Sequence, residues 1–424
     1  MTISEKLSPG VVATNTGPSS EAGQEGHPAP SDDGSSPVAR ALDATVEALC
    51  AEFAATAAAR DRAGGTPKHE RDRLRASGLL SLVIPGELGG LGRDWPTTLE
   101  VVRRFSRVDG SLGHVFGFQH LMLATVRLFG TDAQWTALAG ATARQRWFWG
   151  NALNPLDTRT TSVPVPGGHR VNGIKSFCSG AGDSDMLIVS TRQPDQPRLL
   201  IAAVPTGAAG VRVLGDWDNM GQRQTDSGTV EITDLFVPSG AVLDTPGPLA
   251  TPYAALRPCL AQLILANVYL GIAEGALAEA RLYTQGQGRA WFLSGVDKPS
   301  DDPYVLRHYG EMTVELAGAA ALADAAALKL QQAWEQGPTL SAAGRGQVAV
   351  AVALAKAAAT KGGLDVVTRI FDVTGARATT RHAALDRFWR NLRTHTLHDP
   401  VDYKLRELGR WSLTGEDPTP SFYS

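Results

Sequence analysis

The sequence predicts an α+β protein in which a helical region, a β-rich middle and a second helical region follow one another. Three observations carry this. Apolar residues recur at helical spacing from Leu42 to Phe129, the pattern shifts to a period of two near Trp147, and helical spacing returns from about Leu256. Strands and helices do not alternate as βαβ units and no GxGxxG follows a strand, which argues against a doubly wound nucleotide fold. With 424 residues, 43% hydrophobic and 20% charged, the chain can bury a large core and has the length of two or three domains. The expected bounds are a tail over 1–38, an N-terminal helical domain over 39–143, a central β domain over 144–248 and a C-terminal helical domain over 249–424.

The first 38 residues are rich in Ser, Gly, Pro, Ala and Thr with almost no large apolar side chains, a composition expected of a disordered tail. Leu42, Val46, Leu49 and Phe53 then open a helix, and a second runs from His69 to Leu80 after the Gly64-Gly65-Thr66-Pro67 break. A turn-rich loop, IPGELGGLGRDWP, precedes a helix beginning near Pro96, with Leu99, Val102, Phe105 and Val108 on one face. Leu112 to Phe129 should be a largely buried helix; it carries His114, Phe118, Gln119 and His120. WFWGNA, HRVNGIKSF, MLIVSTR, RLLIAAVP, VRVL and GTVEITDLFVP read as strands of a small antiparallel sheet or barrel. Helices are expected over Leu256 to Tyr283, Tyr304 to Trp334 and Ala342 to Val373, with a last piece from Leu385 towards Leu405.

Several function classes are disfavoured at once. A net charge of -3 without a basic, aromatic-interleaved stripe disfavours nucleic acid. Cys50, Cys178 and Cys259 are too scattered for a disulfide framework or a zinc site and fit a reducing cytoplasm. No apolar run reaches the roughly 18 residues that span a bilayer, and the N-terminus lacks a secretory pattern.

The chemistry is expected around VNGIKSFCSGAGDSD, residues 171–185, where the turn dipeptide Asn172-Gly173 leads into a strand that breaks at Ser179-Gly180-Ala181-Gly182. Small residues there let the backbone approach something flat or charged. Asn151 and Asn154, then Lys175, Phe177 and Ser179, then Trp217 and the run MGQRQTDSGT offer amides and hydroxyls beside aromatic rings, which suits a planar heteroaromatic ligand. Equally, the asparagines can cap turns, Trp217 can be core and Cys178 a buried filler. In RFWRNLRTHTLHDP, Arg387, Arg390 and Arg393 share a helical face, with ion pairing as their ordinary fate. His395 and His398 are three apart with only Asp399 as a third ligand, too little for a metal site. His398 reads as a satisfied core histidine or a proton donor.

Together these segments resemble the acyl-CoA dehydrogenase superfamily over roughly residues 40–424, through the 171–185 hairpin and the later MGQRQTDSG and LFVPSGAVL runs. Within it the stretches ERDRAGG, LRASGLLSL, DGSLGH, GNA, FCSGA, RQTDSG, DPY, RFWRN and THTLHDPV are similar to the reduced-flavin-dependent monooxygenases, the dibenzothiophene monooxygenases among them. The resemblance implies an acyl-CoA dehydrogenase-like fold: an N-terminal helical domain, a central β-barrel-like domain, a C-terminal four-helix bundle and a homotetramer. It implies reduced FMN or FAD delivered by a separate NAD(P)H:flavin reductase, a C4a-hydroperoxide formed with O2, and oxygenation of an aromatic heterocycle by thiophene sulfoxidation or indole hydroxylation. Carried over by motif, the flavin contacts are Phe118, Asn151, Ala152, Leu153, Asn154, Pro155, Leu156, Lys175, Ser176, Phe177, Cys178, Ser179, Trp217, Ala376, Arg377 and His398, with Arg289 reaching from a neighbouring subunit. His398, Ser179 and Asn151 are the expected catalytic groups, and Phe118, His120, Trp217 and His395 the expected substrate contacts. Where true dehydrogenases often carry a carboxylate base in Tyr-Glu-Gly-Thr, this chain reads Thr396-Leu397-His398-Asp399, which favours oxygenation over the alternatives of an acyl-CoA dehydrogenase or oxidase and a non-catalytic flavin-fold binding protein. Two departures bear on the substrate: Phe118 stands where the family has a tyrosine, and Asn154-Pro155-Leu156-Asp157 replaces a more polar loop.

Overall fold

The computed structural model describes residues 37–194 and 199–424. The tail expected over 1–38 lies outside the described residues except for its last two, where the first helix has already begun. The chain divides into a first unit ending at Asp43, of which only the start of that helix is described, and a body over 44–424.

The N-terminal helices are α1 (Pro37–Ala63), α2 (Lys68–Ser77), α3 (Trp95–Val108), α4 (Gly110–Phe129) and α5 (Asp132–Gln145). Their starts are written locally. Asp94 accepts from the Thr97 backbone N–H at 2.9 Å to begin α3, and Asp109 caps α4 by accepting from Ser111 and Leu112. Helix α4 is apolar nearly all round and, as such a composition demands, is buried along almost its whole length. Helix α5 was not among the expected elements, although Thr131 and Gln134 form a reciprocal capping box at its start.

The middle segment is a curled seven-stranded sheet: β1 (Trp149–Ala152), β2 (Thr161–Val165), β3 (Gly168–Lys175), β4 (Met186–Arg192), β5 (Leu199–Pro205), β6 (Val211–Val213) and β7 (Val230–Pro238). Its order is β1-β4-β2-β3-β7-β6, with β5 on the other side of β4. The sheet is mixed where an antiparallel one was expected, because β1 arrives from α5 and runs parallel to β4, pairing Asn151 with Ile188. Strand β2 was also unforeseen; its Pro164 removes a donor, and its outer edge meets β4 only at Thr161. Asn172-Gly173 is not the turn: the hairpin turns at Pro166-Gly167, and the pair lies inside β3 opposite a bulge in β7, where Leu235 faces Val171 and Ile232 faces Gly173, at φ 138°. A Cβ there would lie 2.2 Å from the Arg159 carbonyl oxygen. Val171, Leu187, Val189, Val230, Ile232, Leu235 and Val237 fill the sheet's core, each contributing about 1.5–3 kcal/mol over exposure.

The C-terminal helices are α6 (Leu256–Gly286), α7 (Pro303–Gln336), α8 (Ala342–Thr374), α9 (Asp386–His395) and α10 (Val401–Thr414). Against the expectation that no run is long enough to span a bilayer, α6 passes by length and composition, but it is a core helix buried among α3, α4, α7 and α8. At Gly271 and Gly275 it crosses α3 so closely that a Cβ would sit 2.3 Å and 2.0 Å from the Arg103 and Arg107 carbonyl oxygens. The single helix expected from Leu385 to Leu405 is two, broken over 396–400, where Pro400 has no N–H to donate and Asp399 is biased away from helical geometry. That break puts His395 at the end of one helix and His398 in the connection.

Candidate functional site

A cavity of about 690 Å³ is bounded by α4, α6, the ends of β1 and β3, the 217–227 loop, residues 394–398 and the C-terminal Phe422 and Tyr423. This is the size range of small-molecule sites. Helix α4 contributes His114, Phe118 and Leu121, one face at intervals of four and three; α6 contributes Arg257, Ala261 and Leu265, two intervals of four.

The sheet side is built around the 177–182 bend. Phe177 is left-handed at φ 58°, half out into solvent, with its ring 6.0 Å from Trp217. The bend is held from behind by Arg71, which is fully buried. Its guanidinium lies 4.0 Å over the Phe148 ring, donates to the Gly180 carbonyl at 2.9 Å and pairs with Asp226 at 3.0 Å, and burial lowers its pKa to about 10. Ser179 then exchanges a 2.8 Å hydrogen bond with Ser227, which exchanges one of 2.7 Å with Thr225, whose hydroxyl donates to the Gln222 carbonyl at 3.0 Å. The Asn151 backbone N–H donates to the Ser179 carbonyl at 2.9 Å, fixing β1 to the bend.

The helical side carries three imidazoles. The rings of His114 and His395 stand edge to face with centroids 4.5 Å apart, and His114 lies 4.1 Å from Phe118. Burial drives the pKa of His114 down to about 3 and that of His395 well below its ordinary value, so both are neutral at pH 7. His398 is exposed in the connection after α9 and places Nδ1 2.9 Å from Asp399 Oδ1. The same carboxylate is reached by Lys356 Nζ and by the Gln262 amide, each at 3.3 Å, and Lys356 also donates to Gln262 Oε1 at 2.9 Å. Burial alone would raise Asp399, yet the hydrogen bond from His398 and the charge of Lys356 hold it well below the carboxylate range. An anion on Nδ1 orients the ring and leaves Nε2 for the cavity.

Of the residues expected to hold flavin, Phe118, Asn151, Leu153, Asn154, Pro155, Leu156, Phe177, Ser179, Trp217 and His398 line this cavity, as does the expected substrate contact His395. Others do not. Lys175 is buried beneath the loop and donates to the Asn154 and Asp157 carbonyls at 3.1 and 2.6 Å, so it pins that loop. The Ser176 hydroxyl accepts from Arg159 at 2.6 Å. Cys178 is a sealed thiol, pushed up to about 12 by burial, and Ala152 is core. His120, expected to contact substrate, is fully buried against Phe116 and is not among the residues that line the cavity. Arg289, Ala376 and Arg377 are exposed and away from the cavity. Arg387 and Arg390 make ion pairs, with Glu279 and Asp61.

Leu121, Arg257, Gln262, Leu265, Lys356, Phe422 and Tyr423 were missed. An arginine at the head of an apolar helical face, followed at four and eight by small and apolar residues, was the one legible signal. A planar cofactor fits what is here. Aromatic rings flank the opening, and buried polar atoms without a partner cluster on this wall: His114 Nδ1, both ring nitrogens of His395, Gln222 Oε1 and Thr394 Oγ1.

The chain matches the N-terminal domain of the acyl-CoA dehydrogenases over residues 36–145, their middle domain over 150–235 and their C-terminal domain over 263–403. The probable FMNH2-dependent monooxygenase SfnC of Pseudomonas putida is 55% identical over 89% of this chain and 95% of its own. The structure of methanesulfinate monooxygenase MsuC from Pseudomonas fluorescens is 55% identical with TM-score 0.89, covering 92% of this chain and 100% of the other. The dibenzothiophene monooxygenase TdsC from Paenibacillus sp. A11-2, solved with FMN and indole, is 44% identical with TM-score 0.86 over 91% of this chain and 100% of its own.

Proposed function

The chain belongs to the acyl-CoA dehydrogenase family, and from that premise we propose that it is a two-component, reduced-FMN-dependent monooxygenase of organosulfur or aromatic substrates. Its relatives are flavin-dependent oxidoreductases, two of them named for sulfur compounds. The observation that supports this most is the wall between His398 and Ser179: an imidazole oriented by Asp399, facing a cavity rimmed by hydroxyls, with no acidic side chain other than Asp218 among the lining residues. An acyl-CoA dehydrogenase needs a carboxylate there to take an α-proton.

Bound reduced FMN with O2 supplies the oxygen atom; the rest falls to the chain. Phe177 and Trp217 would cover the flavin ring, and Asn151 and Ser179 would hydrogen-bond it and the oxygen. His398 would hold a proton at Nε2 and deliver it to the oxygen that leaves as water. The apolar walls, Phe118, Leu121 and Leu265, would keep water from that event. Reduced FMN would arrive from a separate NAD(P)H:flavin reductase, and a reducing cytoplasm suits three free, buried cysteines. A homotetramer is supported by exposed Trp291, Phe292 and Leu293 beside Arg289.

The test supplies a flavin reductase, NADH, FMN and O2 to the protein with dibenzothiophene and indole side by side. Sulfoxide or indigo is the expected product, and Ser179→Ala and His398→Ala should each lower its rate about a hundredfold with folding retained. A protein that instead bleaches bound flavin on meeting an acyl-CoA would be a dehydrogenase.

A further inference from the structure

Arg257 sets one end of the cavity apart from the rest. It is 5% exposed, it stands at the start of α6 with Leu121, Ala261 and Leu265 for company, and it lines the cavity. Among the described residues it has no carboxylate partner; its one hydrogen bond runs from Nε to the Thr125 hydroxyl at 3.2 Å. Among the described residues every other arginine so deeply buried is engaged: Arg71 by Asp226 and Asp183, Arg103 by Asn267 and Asp324, Arg345 by the Ala255, Pro418 and Ser424 carbonyls, Arg387 by Glu279. A buried cation without a counter-ion is costly. Burial has drawn the Arg257 pKa down to about 10, which still leaves it charged at pH 7. Neither the acid in the cavity wall nor the one behind it serves as its counter-ion: Asp218 lies in the loop beside Trp217, and Asp399, behind the wall, is held by His398, Lys356 and Gln262.

We infer that Arg257 is the substrate-recognition residue of this cavity and that the substrate is a small organosulfinate. This rests on the monooxygenase reading above. The guanidinium is a planar fork of N–H donors matched to a two-oxygen anion, and the Nε bond to Thr125 fixes its plane. A sulfinate presents two such oxygens and keeps its lone pair on sulfur, so an arginine holding the oxygens leaves the nucleophilic atom free to face the oxygen donor. The apolar neighbours take the short organic group. The reaction balances: the sulfinate gains one oxygen atom from O2 to become a sulfonate, the second oxygen leaves as water, and reduced FMN gives the two electrons and two protons. Along α6, Arg257 and the Gln262 that braces Asp399 are five residues apart, roughly 7–8 Å of helix rise, so the anion site and the His398 site share one cavity without coinciding.

The anion could instead be the flavin phosphate, and the experiment separates the two. Methanesulfinate and benzenesulfinate are titrated calorimetrically into flavin-free protein, and FMN and riboflavin are titrated separately, for wild type, Arg257→Met and Arg257→Lys. Wild type should bind a sulfinate; Arg257→Met should weaken it at least tenfold with FMN affinity within twofold, and Arg257→Lys, which keeps charge but loses the fork, should lie between. In turnover the ratio of kcat/KM for methanesulfinate to that for indole should fall at least tenfold in Arg257→Met. Should Arg257→Met not fold, as judged by its urea midpoint, Arg257→Lys and Thr125→Val carry the same reading. Equal sulfinate affinity in all variants overturns the assignment. So does a loss of FMN affinity with riboflavin spared, which would give the arginine to the cofactor. A wild type that oxidises indole but binds neither sulfinate overturns the anion site alone; one that binds sulfinate yet oxygenates nothing overturns the monooxygenase reading alone.

Discussion

Lys356 is the side chain whose loss should say most about His398. It is buried in α8, its ammonium faces the Tyr269 ring at 4.8 Å, and its charge helps keep Asp399 ionised. Lys356→Met leaves that carboxylate buried with only His398 and Gln262 beside it, a change that costs about 3 kcal/mol when one partner of a buried pair is removed. The urea midpoint should fall accordingly. Asp399 loses the charge that depresses its pKa, so the acidic limb of product formation should move to higher pH; an unmoved limb would mean that Lys356 only supports packing. At this scale the sequence was half legible. Ser179, Asn151 and His398 stood out because hydroxyl, amide and imidazole groups in motif context have recognisable chemistry. Lys356 did not, because a single charged residue within an apolar helix looks alike whether it faces solvent or a cavity.

Among the elements, α6 is the one that positions both halves of the site, and its seam with α3 decides where it lies. Gly275→Ala would gain helix propensity, but the new methyl would stand 2.0 Å from the Arg107 carbonyl oxygen, which belongs to another helix and cannot step aside alone. The expected result is a loss of about 1–3 kcal/mol, read from denaturant melts; an unchanged melt would mean that the two helices separate freely. Most helices could be read from periodicity because each buries one stripe. Helix α5 and three further features were not read. The Pro164 strand gives up a ladder bond and so resembles a loop, Asn172-Gly173 has turn chemistry but lies within a strand opposite a bulge, and the α9–α10 break depends on Pro400 alone.

For the molecule as a whole, three buried neutral histidines set its response to acid. Burial lowers His114 and His120 to about 3 and His395 well below its usual value. The unfolded chain takes up protons near pH 6.5 that the folded chain refuses until far lower, so their contribution is intact above pH 6.5 and is lost progressively as the pH falls towards 3. Thermal midpoints should therefore drop between pH 7 and pH 5, and less so in His120→Gln, which removes one such group away from the cavity. A midpoint independent of pH over that interval would show that these rings are hydrated. The order of helical, β and helical regions was plain in the sequence because it is written in period. The cavity was not, since its walls come from α4, α6, the sheet and the final residues, which only three-dimensional packing brings together.

The glycine seam that locks α6 to α3 also turns α6 into a ruler. Arg257, Ala261 and Leu265 mark successive turns along the cavity at a spacing that the pitch of the helix sets and no side-chain motion can stretch. A container graduated in this way sorts its contents by reach: a tethered molecule one turn too short falls shy of the reacting zone, and one too long must leave its tether.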